Sequence, residues 1–175
     1  MSHSGPGDAA PAAHRAYAPE SVACVVLTVS DSRDLDSDAS GKFIQEALES
    51  AGHRVALRAL VPDEPEAIRA ELLRAIASSE VDAVLVTGGT GVSPRDTTVE
   101  TVAALLDKEL PGFGELFRAL SFQEIGAASM LSRALAGSAG RTALFAMPGS
   151  TGAVRTALER LIVPELAHLV GQLRR

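Results

Sequence analysis

The stretch DAVLVTGGTGVSPRDTT, residues 82–98, runs from an unbroken apolar segment into a glycine-rich turn and on toward a helix. Continuous apolar, β-branched runs mark strands buried on both faces, as in parallel sheets. DAVLVTGG (82–89) therefore reads as a strand. TTVETVAALLDKEL (97–110) reads as the helix that follows, with Thr97 or Thr98 as its cap. One strand–turn–helix unit is legible here, and the fold follows from whether it repeats.

The unit repeats toward the N-terminus. VACVVLTV (22–29) is a buried strand, followed by the polar loop SDSRDLDSDAS (30–40). GKFIQEALESAG (41–52) is a helix with Phe43, Ile44, Ala47, Leu48 and Ala51 on one face and Gly52 as its stop. RVALRALVPD (54–63) is a strand, and EPEAIRAELLRAIASS (64–79) is a helix with Ile68, Leu72, Leu73 and Ile76 inward. This alternation predicts an α/β fold: an open, mostly parallel sheet with helices on both faces.

Beyond residue 110 the pattern loosens. PGFGELFRALSFQEIGAASMLS (111–132) is helical in pieces, interrupted at Gly114 and Gly126. RALAGSAGRTALFAMPGS (133–150) gives two strands around Gly137-Ser138-Ala139-Gly140, an antiparallel hairpin in the C-terminal part. The last segment, 150–173, is a helix interrupted at Pro164. Residues 1–20, rich in Ala, Pro, Gly and Ser, read as a flexible tail, and 21–175 as one domain.

Composition narrows the function. The 175 residues are 46% hydrophobic and 22% charged, ordinary for a globular domain. Thirty alanines against six aromatics suit helices packed closely on a sheet. A net charge of −6 argues against a nucleic-acid partner, because such binding is driven by basic patches. No apolar run approaches the ~20 residues that cross a bilayer, so no membrane association is expected. The N-terminus shows no signal-peptide apolar core, and the one cysteine, Cys24, reads as a buried small hydrophobe; both fit the cytoplasm. The histidines, His3, His14, His53 and His168, show no metal-ligand spacing.

In open α/β sheets ligands bind at the carboxyl ends of the strands. Four polar segments fall there: SDSRD (30–34), VPDE (61–64), TGGTGVSPRD (87–96) and MPGSTG (147–152). TGGTGVSPRD lacks the Gly-Lys-Ser/Thr ending of a Walker loop, and Pro94 stands where a dinucleotide fingerprint needs its last glycine. What remains is a glycine turn, Gly88-Gly89-Thr90-Gly91, whose amides can approach an anion. Arg95 can add a charge-assisted contact to phosphate. Asp96 repels phosphate unless a cation lies between, so it is either a magnesium ligand or a helix cap. Asp63 is either an N-cap completing a box with Glu66 or a second carboxylate on the same crevice. Pro148-Gly149-Ser150 is either a tight strand–helix turn or a phosphate-binding one. Asp34, Asp36 and Asp38 do not match a calcium loop and read as solvated.

Taken together, these segments resemble the molybdopterin-binding MoaB/Mog family of molybdenum cofactor biosynthesis. The matching residues are LTVSDSR (27–33), SG (40–41), VPDE (61–64), TGGTGVSPRDTT (87–98), PGFGELFRALSFQEIG (111–126), LSRALAG (131–137) and LFAMPGSTGAVRTALE (144–159). SFQEIG and FAMPGST look more like the MoaB branch. The resemblance implies a three-layer α/β/α sandwich and a homotrimer or homohexamer. It implies a nucleotidyltransferase that uses Mg²⁺ to move AMP from ATP to the phosphate of molybdopterin. The product, adenylyl-molybdopterin, serves metal insertion, which makes the molybdenum-insertion enzyme a candidate partner. Asp63 and Asp96 match the acidic positions for metal and catalysis. Ser30, Asp31, Gly88, Gly89, Thr90, Gly91, Arg95, Pro148, Gly149 and Ser150 match the ligand-binding segments. The intact Pro94-Arg95-Asp96 favours an active adenylyltransferase. The alternative is a non-catalytic molybdopterin-binding or scaffold protein of the same pathway.

Overall fold

A computed structural model describes residues 17–175. Four strands run parallel: β1 (Ala23–Val29), β2 (Arg54–Val61), β3 (Ala83–Thr87) and β6 (Thr142–Met147). Two more, β4 (Lys108–Glu109) and β5 (Leu135–Ala139), extend the sheet antiparallel beyond β6. The order across the sheet is β2-β1-β3-β6-β5-β4. The helices are α1 (Ala39–Ser50), α2 (Pro65–Ala77), α3 (Thr98–Ala103), α4 (Pro111–Ile125), α5 (Thr151–Ala157) and α6 (Val163–Leu173).

Strand alternation explains why the apolar runs are continuous. Cys24 and Val26 face one side with Leu85, Phe145 and Met147, against Ile44 and Leu48 of α1, Phe117 of α4 and Leu166 of α6. Val25, Leu27 and Val29 face the other with Val84, Val86 and Leu144, against Ile68 and Leu72 of α2 and Val102 of α3. Both faces of the central strands are thus covered, and the three-layer arrangement follows. Full burial of a Leu or Val is worth about 1.5–3 kcal/mol, so these two layers dominate the stability. Desolvation pushes the buried Cys24 thiol up to about 12, as for a hydrophobe rather than a nucleophile. Among the described residues no helix is long and apolar enough to cross a membrane.

Several local expectations are corrected. The helix predicted over 97–110 stops at Ala103, and Lys108–Glu109 instead forms the edge strand β4. The reason is close approach: a Cβ on Gly137 would lie 2.3 Å from the Lys108 carbonyl, so only glycine lets this backbone pass. Gly137, Ser138 and Ala139 lie inside β5 rather than in the hairpin link, which is the Gly140–Arg141 turn with Gly140 at φ +56°. Gly114 does not interrupt its helix, because α4 runs through it to Ile125; the 3₁₀ turn Gly126–Leu131 follows. The C-terminal helix is interrupted where expected, through a π turn at Leu158–Ile162 just before Pro164. Leu73 and Ala51 face solvent instead of the core.

The tail expected over 1–20 lies, for residues 1–16, outside the described residues. At its inner end Tyr17 stacks on Arg175, whose guanidinium carbon sits 4.1 Å from the ring centroid. The Tyr17 carbonyl also crosses Gly171 of α6, where a Cβ would lie 2.6 Å away.

Gly114 offers a test of the packing. A Cβ there would lie 2.7 Å from the Ala134 carbonyl, whereas one on Gly112 meets nothing within 4 Å. Gly114→Ala should destabilise by about 1–3 kcal/mol through overpacking, while Gly112→Ala should be neutral or mildly stabilising. Urea unfolding of the two variants checks this; equal effects would contradict the close approach.

Candidate functional site

The parallel strands deliver their carboxyl ends to one edge, and the backbone ties those ends together. Ser30 N–H donates to the Val61 carbonyl at 2.9 Å, joining the ends of β1 and β2. Gly88 N–H donates to the Met147 carbonyl at 3.2 Å, joining β3 to β6. Thr87 Oγ1 donates to the Pro148 carbonyl at 3.1 Å, and Ser40 Oγ of α1 donates to the Gly149 carbonyl at 2.9 Å. Ser150 caps α5, its hydroxyl accepting from Ala153 N–H at 3.4 Å. The SDSRD, VPDE, TGGTG and PGS segments therefore converge as expected.

The glycine turn sits at the centre of this edge. Gly88 and Gly89 take φ +98° and +61°, a region that favours glycine. Among the described residues, the N–H groups of Gly89, Thr90 and Gly91 donate no hydrogen bond. Successive undonated amides in a glycine turn are groups that an anion can engage.

Two carboxylates flank the turn. A Cβ on Gly89 would lie 2.8 Å from Asp63 Oδ2, and one on Gly91 would lie 2.7 Å from Asp96 Oδ2. The cap readings of both are corrected. Pro65 opens α2, so its cap position falls on Glu64, without a side-chain bond, and Asp63 is free to turn away. Asp63 Oδ1 instead accepts from Thr97 N–H at 3.4 Å and from Thr97 Oγ1 at 3.3 Å. Thr97 holds the cap position of α3 but makes no capping bond with its side chain. Asp96 accepts from Ser93 N–H at 2.8 Å, closing the turn that precedes α3. Asp38, expected to be solvated, is buried: it accepts from Thr28 Oγ1 at 2.7 Å and from Gly41 N–H at 2.9 Å, capping α1. Asp34 and Asp36 are exposed as expected.

Asp31 and Arg95 form a pair across the mouth. Arg95 Nη2 donates to Asp31 Oδ2 at 2.5 Å, and Asp63 N–H donates to Asp31 Oδ1 at 2.9 Å. The hydrogen bond from Arg95, then that from the Asp63 amide, hold the Asp31 carboxyl below its ordinary value. Both side chains are largely exposed, at 62% and 47%, so water screens the pair and it holds Arg95 near the turn without committing it.

Arg133 is the residue that sequence reasoning missed. Its Nε donates to the Thr90 carbonyl at 3.2 Å and its Nη2 to the Asp96 carbonyl at 3.0 Å, while Nη1 pairs with Glu100. One guanidinium therefore fixes both ends of the 90–96 loop, and its hydrogen bond keeps the Glu100 carboxyl below its usual range. The residue stands in LSRALAG, but a partner 43 positions away leaves no trace in local spacing. A cavity of about 430 Å³, lined by Val92, Ser93, Pro94, Asp96, Thr97, Glu100 and Arg133, opens beside this loop.

Among the described residues no three His, Cys, Asp or Glu side chains gather to cage a metal. One or two carboxylates are nonetheless what Mg²⁺ takes from a protein when substrate phosphates supply its other oxygens. The chemistry of Asp63 and Asp96 fits that ion.

Comparison with known proteins identifies the family and the fold. The model of a probable molybdopterin binding domain matches residues 25–168. The molybdenum cofactor biosynthesis protein B of Halalkalibacterium halodurans is 52% identical over 161 residues, covering 91% of this chain and 95% of that protein. A crystal structure of a molybdenum cofactor biosynthesis protein B superposes with a TM-score of 0.88 at 49% identity, over 90% of this chain and 99% of the other. That of the tungsten cofactor synthesizing protein MoaB from Pyrococcus furiosus superposes at 0.81 and 39% identity, over 90% of this chain and 100% of the other.

The Asp31 pair yields a pH prediction. A carboxyl with a lowered folded value adds stability above its unfolded value, about 3.9, and loses it as pH falls through the folded one. Carboxyl-carbon NMR should find the Asp31 midpoint below that value in the native chain and raised toward it in Arg95→Ala, with the Asp63 amide still holding it partly down. An unchanged midpoint in the variant would refute the pairing.

Proposed function

The chain belongs to the molybdopterin-binding domain family of molybdenum cofactor biosynthesis, and on that premise we propose that it transfers AMP from ATP to the phosphate of molybdopterin. One observation carries the reading: Asp63 and Asp96, from separate strand-end loops, both border a glycine turn with unengaged amides.

In this reading a terminal oxygen of the molybdopterin phosphate attacks the α-phosphorus of ATP. The new P–O bond forms as the bond to pyrophosphate breaks, and pyrophosphate leaves with the electron pair. No general base is needed, because a phosphate monoester has its second pKa near 6 and is ionised at neutral pH. Such transfers need positioning and charge stabilisation more than covalent help from the protein. The amides of Gly89, Thr90 and Gly91 receive phosphate oxygens. Asp63 and Asp96 hold Mg²⁺, which when bound neutralises charge on those oxygens. Arg95 exchanges Asp31 for a phosphate, a charge-assisted contact. Pro148-Gly149-Ser150 borders the second substrate, and Arg133 keeps the loop bearing Asp96 in place.

Asp63→Asn and Asp96→Asn should each lower formation of adenylyl-molybdopterin by at least about 10²-fold, the cost typical of losing one preorganised electrostatic group. Thermal unfolding should stay within a few degrees of the native chain. Full activity in both variants would reduce the two residues to structural roles. Molybdopterin bound by the native chain without product would assign it to non-catalytic binding.

A further inference from the structure

Thr98 opens α3, and its N–H donates to the Gly89 carbonyl at 3.0 Å. Its side chain is fully buried. Among the described residues its Oγ1 is the one buried side-chain polar atom without a hydrogen-bond partner. Buried hydroxyls ordinarily find a carbonyl, as Thr101 does one turn on, where Oγ1 donates to the Thr97 carbonyl at 2.8 Å. An idle hydroxyl in this position costs stability and needs a reason.

Its surroundings supply one. The position a Cβ on Gly89 would take lies 2.3 Å from Thr98 Oγ1, 2.8 Å from Asp63 Oδ2 and 3.0 Å from Asp63 Oδ1. The hydroxyl and both carboxylate oxygens thus close on one small space, which glycine at 89 keeps clear of side chain. Asp63 is lightly held on its other side, since its bonds to Thr97, at 3.4 and 3.3 Å, lie at the long limit. A loosely held acceptor stands beside an unused donor.

We propose that Thr98 is a positioning residue for Asp63: its hydroxyl donates to the Asp63 carboxylate when cation and phosphates draw that carboxylate over Gly89. The inference rests on Asp63 as a cation-holding group. The bond forms only in the loaded site, so the unloaded chain carries the idle hydroxyl, a local cost retained for function. Loading satisfies it and sets the carboxylate's orientation, as an outer-shell donor does for a metal ligand.

Valine is nearly isosteric with threonine and lacks the hydroxyl, so it separates the two roles. The test measures Mn²⁺ binding by electron paramagnetic resonance on the full chain, with α,β-methylene ATP present, and melting without ligands. Thr98→Val should weaken Mn²⁺ binding about 10-fold, while its Tm stays level or rises by about 2–4 °C. Thr98→Ser should bind as the native chain does. In an Asp63→Asn background, itself weaker, Thr98→Val should add no further loss.

Native affinity in Thr98→Val, beside a weakened Asp63→Asn, overturns this inference alone. Joint loss of affinity and Tm in both Thr98 variants marks a purely structural threonine and also overturns it. Native affinity in Asp63→Asn removes the reading of Asp63 beneath it, and this inference falls with that reading.

Discussion

The approach of Gly88 to the end of β1 is the constraint on which the site depends. A Cβ on Gly88 would lie 2.2 Å from the Val29 carbonyl, and one on Gly149 would lie 3.2 Å from Gly88 Cα. The turn leaving β3 is therefore pressed between the ends of β1 and β6, at φ +98°, where any larger residue would force the strand ends apart. The other site elements refer to that turn. Thr98 is fixed by the Gly89 carbonyl and Arg133 by those of Thr90 and Asp96, while Asp63 makes only long contacts to Thr97 beside them. The sheet core, by contrast, needs only the alternation of apolar side chains on two buried faces.

Charge gives the site its second constraint. The chain carries −6 overall, and Asp31, Asp63 and Asp96 gather where the proposed substrates bring more negative charge. Arg95 neutralises Asp31, and Arg133 is occupied by Glu100 and two carbonyls. Among the described residues Asp63 and Asp96 form no ion pair, although Arg95 lies near enough to Asp63 to feel its charge. Two carboxylates without an ion-pair partner repel phosphate, and a cation set between them would offset that repulsion, which is the physical content of the magnesium proposal.

The sheet was legible because its signal is local and doubled: β1, β3 and β6 are apolar on both faces, so every residue of each run reports burial. The convergence of the loops followed from parallel topology alone. What escaped was set by contacts distant in sequence. Lys108–Glu109 looked helical because the 97–110 periodicity continues; the glycine at 137 that lets the strand pass lies far downstream. The capping box at Asp63 failed because Pro65 moves the helix start by one residue. Asp38 looked solvated in an acidic loop until Thr28, ten positions back, folded onto it. Of the candidate site, Asp63, Asp96 and the glycine turn were visible as motifs, while Arg133 and Thr98 act through tertiary contacts that no spacing encodes.

Adenylyl transfer at this edge of the sheet breaks the phosphoanhydride bond between the α- and β-phosphorus of ATP. The direct measurement mixes the native chain with molybdopterin, Mg²⁺ and ATP labelled at the α-phosphorus, then separates the products. Adenylyl transfer puts the label on the pterin in step with unlabelled pyrophosphate. Label recovered only in ATP, or in ADP with release of the γ-phosphate, would contradict it.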